Sequence, residues 1–225
     1  PYPKVVVTKK AAKALNQGHP WVYEGEVISC EGDNGCVVDV FEENGTWQGA
    51  GLLSLMSKIR VRIVTRNAND RIDEGFWARK LTWAWNHRVT TMGSRALPGT
   101  PADTLCCRVL FSEADGFPGL IVDRYDDVLV AQVGTVGMEL LRPVIYPLLL
   151  QTLRAAGQQV SAIYERNDSP SRAKEGLLLY KGWWGDYVTE VEDARRIIVE
   201  NGIKYDVDLC NSQKTGFFLD QKYNR

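Results

Sequence analysis

The sequence is poor in histidine, has an odd number of cysteines and contains no long apolar run. With only two histidines, His19 and His87, in 225 residues, it cannot assemble a metal cluster or a Ser/His/Asp set, and we expect no metal site. Five cysteines without a C-x-x-C pair argue against a disulfide framework and a zinc knuckle, and they fit a reducing cytoplasm. No stretch approaches the roughly 20 apolar residues that span a bilayer, so we expect a cytoplasmic protein without a membrane partner.

A strong net charge is also missing. The 27 Lys and Arg residues nearly balance the 28 Asp and Glu residues, which leaves a formal net charge of -1. A protein-wide positive field is therefore excluded, and any contact with RNA or DNA must come from a local basic patch. A chain of this length accommodates one large or two small domains, each with its own core.

The first part of the chain predicts a small β-barrel over residues 1–68. Short β-rich runs are separated by the turn signals 32–35 and 42–45, and a short helix is expected over 9–16. The expected strands are 5–7, 26–28, 35–41, 47–53 and 59–64, and so many short strands in so short a span are typical of a barrel. Alternation along the last strand predicts a basic outer face that carries Arg60 and Arg62.

Residues 71–192 predict a central α+β domain. Apolar residues at helical spacing indicate a helix over 72–92. The expected elements that follow are strands at 107–111, 119–123 and 128–133, a helix to about Ala156, and strands at 162–166 and 186–190. Pro143 and Pro147 disfavour a continuous helix, which leaves its start near Met138 uncertain. A hairpin that turns at Asn201-Gly202 begins the last segment, 195–225, and the fold class is α+β rather than a doubly wound sheet.

Cations and aromatic rings occur together near the N-terminus. Three lysines on the short helix precede the run Gly18-His-Pro-Trp-Val-Tyr23, and cations with aromatic faces suit single-stranded RNA. The alternative is that the rings are core and the lysines a solvated face, which the spacing supports equally. The candidate RNA-binding residues are Lys9, Lys10, Lys13, His19, Trp21, Arg60 and Arg62.

Other segments have simpler interpretations than catalysis. The strand–glycine–helix run 128–139 imitates a nucleotide site but holds only two glycines, so a plain turn is favoured. Residues 113–124 carry two acids and an Asp/Arg pair, yet tight bends explain them. The charged loop 165–174 could meet RNA or a neighbouring domain, and simple solvation is the more common role of such a loop. No cysteine has neighbours that would lower its thiol pKa. We assign no catalytic residue.

The last fifteen residues predict the entrance to a further domain. Phe217-Phe218-Leu219, followed by polar residues, normally needs a packing partner, because a frayed tail would not place two phenylalanines and a leucine in water. We therefore expect the chain to be most of a larger protein.

Several motifs resemble known families. Gly18-His-Pro-Trp-Val-Tyr23, followed by strand-rich sequence through Ile63, resembles a PUA domain, a small barrel known from RNA-modifying enzymes. The segments 111–125, 165–168, 174–176 and 213–221, with 224–225, resemble the cytosine-5 methyltransferases of large-subunit ribosomal RNA. The run Lys214-Thr-Gly-Phe-Phe-Leu-Asp-Gln221 is the most specific of these.

The resemblance implies a PUA domain, a central α+β domain and a Rossmann-like methyltransferase domain that begins within 195–225. It implies S-adenosylmethionine (SAM) as cofactor, ribosomal RNA as partner and Lys214, Thr215, Asp220 and Gln221 at the cofactor-side entrance; a homodimer is left open. Cytosine-5 chemistry needs a cysteine thiolate that adds at C6, and no cysteine here stands at the family's catalytic position. We expect the catalytic residues after Arg225 and no methylation by this chain alone.

Two interpretations from other classes stay open. The chain could be a stand-alone RNA-binding adaptor whose tail folds back on the central domain, or an interaction protein whose seven tryptophans line a protein interface. A buried Phe217-Phe218 pair would favour the adaptor, and an exposed apolar patch would favour a further domain. RNA affinity that falls steeply with salt would exclude the interaction protein.

Overall fold

A six-stranded sheet and one helix make up the N-terminal part of the protein. The computed structural model describes residues 1–92, 105–185 and 194–224. The first elements are β1 Lys4–Val7, α1 Lys9–Asn16, β2 Trp21–Tyr23, β3 Val27–Cys30, β4 Val37–Glu42, β5 Trp47–Leu53 and β6 Ile59–Thr65. The strand order is β2-β6-β5-β4-β1-β3, and only the β1–β4 pair among these strands is parallel.

Alternate residues of these strands meet in one core. Val5 of β1, Val38 of β4 and Val61 of β6 are all fully buried there. Val22 of β2 and Val27 of β3 join the same core, although their strands lie at opposite ends of the sheet. The sheet therefore wraps around its core as a barrel-like domain does. The predicted strands are confirmed, while the three-residue β2 was not predicted.

A five-stranded sheet organises the central part. Its elements are α2 Glu74–Met92, β7 Cys106–Phe111, α3 Ser112–Asp115, β8 Leu120–Tyr125, β9 Val128–Val133, α4 Val136–Ala155, β10 Ala162–Asn167 and β11 Tyr180–Trp183. The order is β11-β10-β9-β8-β7, with β9 and β10 parallel and the other pairs antiparallel. The α+β class is confirmed. Strand β11 was not predicted, and the strand predicted at 186–190 lies outside the described residues.

The two faces of this sheet are covered by different elements. Leu120 and Val122 of β8 face the helices α2 and α4, whereas Tyr125 faces a hairpin made of β12 Arg195–Glu200 and β13 Ile203–Asp208. The hairpin turns at Asn201 and Gly202, with φ of 52° and 79°, as predicted from this dipeptide. A 3-10 turn at Leu219–Asn224 follows. The predicted start of a Rossmann-like domain in this segment stays a prediction.

Helix α4 continues through both prolines. Thr135 caps it by accepting the N–H of Met138 at 3.5 Å, so the helix begins two residues before the predicted start. Pro143 and Pro147 are four residues apart and both exposed. The backbone groups that lose a partner therefore lie on one solvent-facing side, where water can bind them. Among the described residues, no helix has the length and apolar character needed to cross a membrane.

The N-terminal and central parts share a core. Leu52 of β5 and Val64 of β6 are 3% and 5% exposed and pack in the same cluster as the helices α2 and α4. Glu175 reinforces this junction, because its carboxylate accepts hydrogen bonds from Ser54 at 2.6 Å and from Arg62 at 2.8 Å. The domain boundary predicted near residue 68 is therefore crossed by continuous packing.

Candidate nucleic-acid interface

Helix α1 presents three lysines to solvent. Thr8 caps the helix by accepting the N–H of Ala11 at 3.3 Å, and the opposite side of the helix is buried in the N-terminal core. Lys9, Lys10 and Lys13 are therefore all exposed. Three ammonium groups on two turns form a local positive patch that the overall charge does not provide.

An aromatic cluster lies beside this helix. Trp21 and Tyr23 project from the same side of β2, since Val22 between them is fully buried. Their ring centroids are 6.3 Å apart, and His19 lies 5.9 Å from each of them. The Trp21 indole N–H donates to Glu113 of α3 at 2.8 Å, which fixes the ring at the border with the central sheet. Tyr23 is 40% exposed, so the cluster offers ring surface to a ligand.

The predicted outward basic face of β6 is wrong for Arg62. The Arg62 side chain is 9% exposed, because the outer side of β6 is covered by the central part of the protein. Its guanidinium donates to Glu175 at 2.8 Å and lies 3.9 Å from Glu113. Arg60 is paired with Glu24 at 2.5 Å. An RNA contact by either arginine would therefore have to share or displace an existing ion pair.

A cleft of about 270 Å³ runs between the N-terminal and central sheets. It is lined by Trp21, Ile59, Arg62, Ser112, Glu113, Gly119, Ile121, Gln132, Val133, Gly134, Thr135, Arg166, Ser169, Ser171 and Arg172. Gln132, Arg166 and Ser169 also line an adjoining, more open space that extends to Lys214. We call the two together the junction groove. It begins at the aromatic cluster and ends at the C-terminal segment.

The C-terminal segment is held against the central sheet by buried polar contacts. Asp123 is fully buried and accepts hydrogen bonds from Thr215 at 2.5 Å and from Arg108 at 2.8 and 3.0 Å. The Tyr125 hydroxyl lies 2.9 Å from the Thr215 hydroxyl and accepts the N–H of Phe217 at 3.0 Å. Burial, reinforced by the charge of Asp123, holds the pKa of Tyr125 well above its ordinary value, so its hydroxyl stays protonated.

The residues predicted at the cofactor-side entrance have different environments. Lys214 is exposed, with its ammonium 4.5 Å from the ring centroid of Phe218, whereas Thr215 is 1% exposed and points inward. Asp220 and Gln221 lie on the 3-10 turn, where the Gln221 amide donates to Asp220 at 3.2 Å and lowers the pKa of that carboxyl. The structure thus places Lys214 in the junction groove and the other three residues outside it.

The phenylalanines of the tail divide between core and solvent. Phe217 is partly buried, with its ring centroid 5.0 Å from that of Tyr205 on β13. Phe218 is 37% exposed. The partly buried Phe217 agrees with the adaptor, and the exposed Phe218 agrees with a further domain. The two rings together therefore do not decide between these hypotheses.

The acidic residues of segment 113–124 accept hydrogen bonds from other side chains and do not form a pair with one another. Asp123 and Arg124 do not pair, because neighbours on a strand point to opposite faces, and Arg124 instead donates to Gln158 at 2.6 Å. Asp115 forms a two-bond pair with Arg88, each bond 2.6 Å long. These contacts fix α3 against α2 and leave no free carboxylate pair for acid/base chemistry among these residues.

The cysteines with resolved shifts are not poised as thiolates. Burial raises the pKa of Cys106 from 9.0 to about 12. Burial also raises the pKa of Cys30 and Cys36. A thiol with a raised pKa is a weak nucleophile at neutral pH. None of these three side chains is therefore suited to nucleophilic catalysis.

Comparison with known proteins places these features in context. Residues 5–66 match the family described as PUA-like domain. Ribosomal RNA large subunit methyltransferase I from Shewanella amazonensis is 37% identical over 215 residues, which cover 95% of this chain and 50% of that protein. The protein of the same name from Shewanella denitrificans is 38% identical over 216 residues, which cover 95% of this chain and 51% of that protein. The chain spans about half the length of these curated relatives.

Solved structures show the same fold at lower identity. A Streptococcus mutans protein assigned as a SAM-dependent methyltransferase superposes with a TM-score of 0.76 at 19% identity, over 98% of this chain and 52% of that chain. A second protein assigned as a methyltransferase, solved in complex with SAH, has a TM-score of 0.73 at 19% identity over the same shares. The chain therefore contains a PUA-like domain at residues 5–66 and is similar, over nearly its whole length, to about half of a large-subunit ribosomal RNA methyltransferase.

Proposed function

We propose that this chain is the RNA-binding portion of a SAM-dependent methyltransferase that acts on a cytosine of large-subunit ribosomal RNA. Similarity to two proteins named ribosomal RNA large subunit methyltransferase I supports the proposed class of enzyme and of RNA. The structural observation that carries it is the continuity of the junction groove, which joins the aromatic cluster at Trp21 to Lys214. A single RNA strand held by stacking at the first end would be led to the C-terminal segment at the other.

The proposed contacts follow from exposure and chemistry. Lys9, Lys10 and Lys13 would bind phosphates, since their ammonium groups are exposed on one short helix. His19 and Trp21 would supply ring surface for a base next to that patch. Arg60 and Arg62 are held by carboxylates of the chain, so in this proposal neither arginine binds a phosphate, and Arg62 lines the groove.

The C-terminal segment fits the edge of a SAM site. SAM, when bound, supplies an electrophilic methyl group. Asp220, Gln221 and Lys214 offer carboxylate, amide and ammonium groups on the outer side of the segment. The Thr215 hydroxyl is already used by Asp123 and Tyr125, so it would position the segment rather than bind the cofactor. We expect SAM to bind this chain weakly.

The test measures binding of this chain to fragments of large-subunit ribosomal RNA at several salt concentrations. The variant Lys9→Glu/Lys10→Glu/Lys13→Glu should lower the slope of log affinity against log salt by about 2 and weaken binding by about 50-fold near ~0.15 M salt. A charge-matched control is Lys181→Glu/Lys204→Glu/Lys222→Glu, which alters lysines of β11, β13 and the 3-10 turn. Equal affinities for the two triple variants would contradict the proposed contacts.

The adaptor is the second candidate, and the docking of Thr215 and Phe217 on the central sheet favours it. An adaptor and a methyltransferase portion would both bind RNA, so binding does not separate them. Crosslinking of radiolabelled SAM to the chain does, because an adaptor has no reason to bind it; the SAM concentration is raised to saturation, since the methyltransferase portion is expected to bind it weakly. A homodimer stays a prediction, and sedimentation of the chain with and without RNA tests it.

A further inference from the structure

One row of side chains on the outer face of the central sheet is left open by the hairpin and the C-terminal segment. Phe111 of β7 lies opposite Ile121 of β8, and Ile121 lies opposite Gln132 of β9. Asp123 and Val130, in the neighbouring row on the same face, are fully buried. Phe111 is 49% exposed, and Ile121 and Gln132 are partly exposed. We call Phe111, Ile121 and Gln132 the open row.

The Phe111 ring is held in place from below. A register shift between Arg108 and Leu110 brings Arg108 and Phe111 to the same face of the sheet. The Arg108 guanidinium then lies 5.0 Å from the ring centroid and is fixed by two hydrogen bonds to Asp123. Ser112, with φ of 48°, turns the chain away immediately after the ring. Phe111 is therefore a positioned aromatic surface with a cation beneath it.

The surroundings of the open row match RNA better than an apolar protein segment. Ile121 and Gln132 line the junction groove, which starts at the proposed stacking site around Trp21. The exposed ammonium of Lys214 lines its far end, and the Arg108 side chain is 35% exposed beside the ring. A ring for stacking, an amide for hydrogen bonds and nearby cations are the groups that recognise unpaired nucleotides.

We propose that the open row is a subsite for single-stranded RNA, in which one base stacks on Phe111 and its edge hydrogen-bonds to Gln132. The inference rests on the proposed RNA-binding function and adds to it a recognition surface outside the PUA-like domain. The strand would then meet two stacking points, Trp21 in the lining of the groove and Phe111 beside the groove, at the end of the row that Ile121 and Gln132 carry into it.

Fluorescence anisotropy with a labelled single-stranded RNA of ribosomal sequence tests the subsite. Phe111→Ala should weaken binding by about 10-fold and leave the salt slope unchanged, since stacking releases no counterions. Phe111→Trp should restore wild-type affinity, whereas Phe111→Leu should not, because it keeps apolar area without a ring. Ile203→Ala removes a side chain of similar exposure, 56%, on β13 and should have no effect. Gln132→Ala should change the preference among bases.

The outcomes separate this inference from the proposed function. If the lysine triple variant weakens binding but Phe111→Ala does not, the open row is not a subsite and RNA binding by the PUA-like domain stands. If the wild-type chain binds no RNA, both proposals fail. If Phe111→Ala changes the sedimentation of the chain and leaves RNA affinity unaltered, the row is a protein contact and the inference is overturned.

Discussion

Removal of the Glu175 carboxylate should destabilise the protein far more than removal of a surface charge. Glu175 is 4% exposed and accepts hydrogen bonds from Ser54 and Arg62, which joins the N-terminal and central parts. In Glu175→Ala the Arg62 side chain, 9% exposed, stays buried without its main partner. Breaking a buried pair in this way costs about 3–5 kcal/mol. For a chain of this size that lowers Tm by about 10 °C.

Thermal unfolding followed by circular dichroism measures the effect. The control is Asp206→Ala, which breaks a pair with Arg195 whose side chains are 52% and 55% exposed and should cost less than about 1 kcal/mol. The double variant Arg62→Met/Glu175→Gln removes both charges and keeps an acceptor for Ser54, so it should unfold at a higher temperature than Glu175→Ala. Equal Tm values for Glu175→Ala and Asp206→Ala would refute the reasoning.

Three further predictions concern the core. Burial raises the pKa of Cys106 from 9.0 to about 12, so the native state favours the neutral thiol. The contribution of this thiol to the free energy of unfolding is complete below pH 9 and is lost as pH rises toward 12. Urea unfolding at pH 8 and pH 10 should therefore show a larger loss of stability for wild type than for Cys106→Ala. Gly119→Ala should cost more than about 2 kcal/mol, because φ is +83° and the new Cβ would lie 2.2 Å from Thr135, whereas Gly157→Ala, with φ +77° and open space, should cost about 1 kcal/mol. Tyr125→Phe should lose the contacts to Thr215 and Phe217, at about 1–3 kcal/mol, and hydrogen exchange should show faster opening of residues 212–224.

The sequence predicts the elements that local pattern controls. Alternation and turn residues locate β4, β5 and β6, and Asn201-Gly202 locates the hairpin, because these signals act over a few residues. Prolines usually interrupt a helix, but α4 is continuous, because its two prolines lie on the solvent side and remove no buried hydrogen bond. Strand β11 carries exposed and half-buried residues, so no alternation marks it.

The candidate site is less predictable, because its charges are paired across long sequence distances. Arg62 looks like a surface residue in its strand, and only the packing of the central part on β6 buries it. Glu175 follows Lys174 at the end of a short polar 3-10 helix, and nothing local shows that it contacts residues more than a hundred positions earlier. The three lysines of α1 are predictable, since a short amphipathic helix exposes its polar side whatever packs beneath it.

The packing shared by the two parts of the protein decides how it can be dissected. In a fragment that ended near residue 68, Leu52 and Val64 would be exposed to water. Arg62 would also lose its ion pair with Glu175. The complementary fragment would contain Glu175 without Arg62, the cation that pairs with it. Both pieces would invite aggregation, and a loss of RNA affinity in either would report misfolding rather than a missing contact. The contribution of each half to binding is therefore better measured by point substitutions in the intact chain than by truncation.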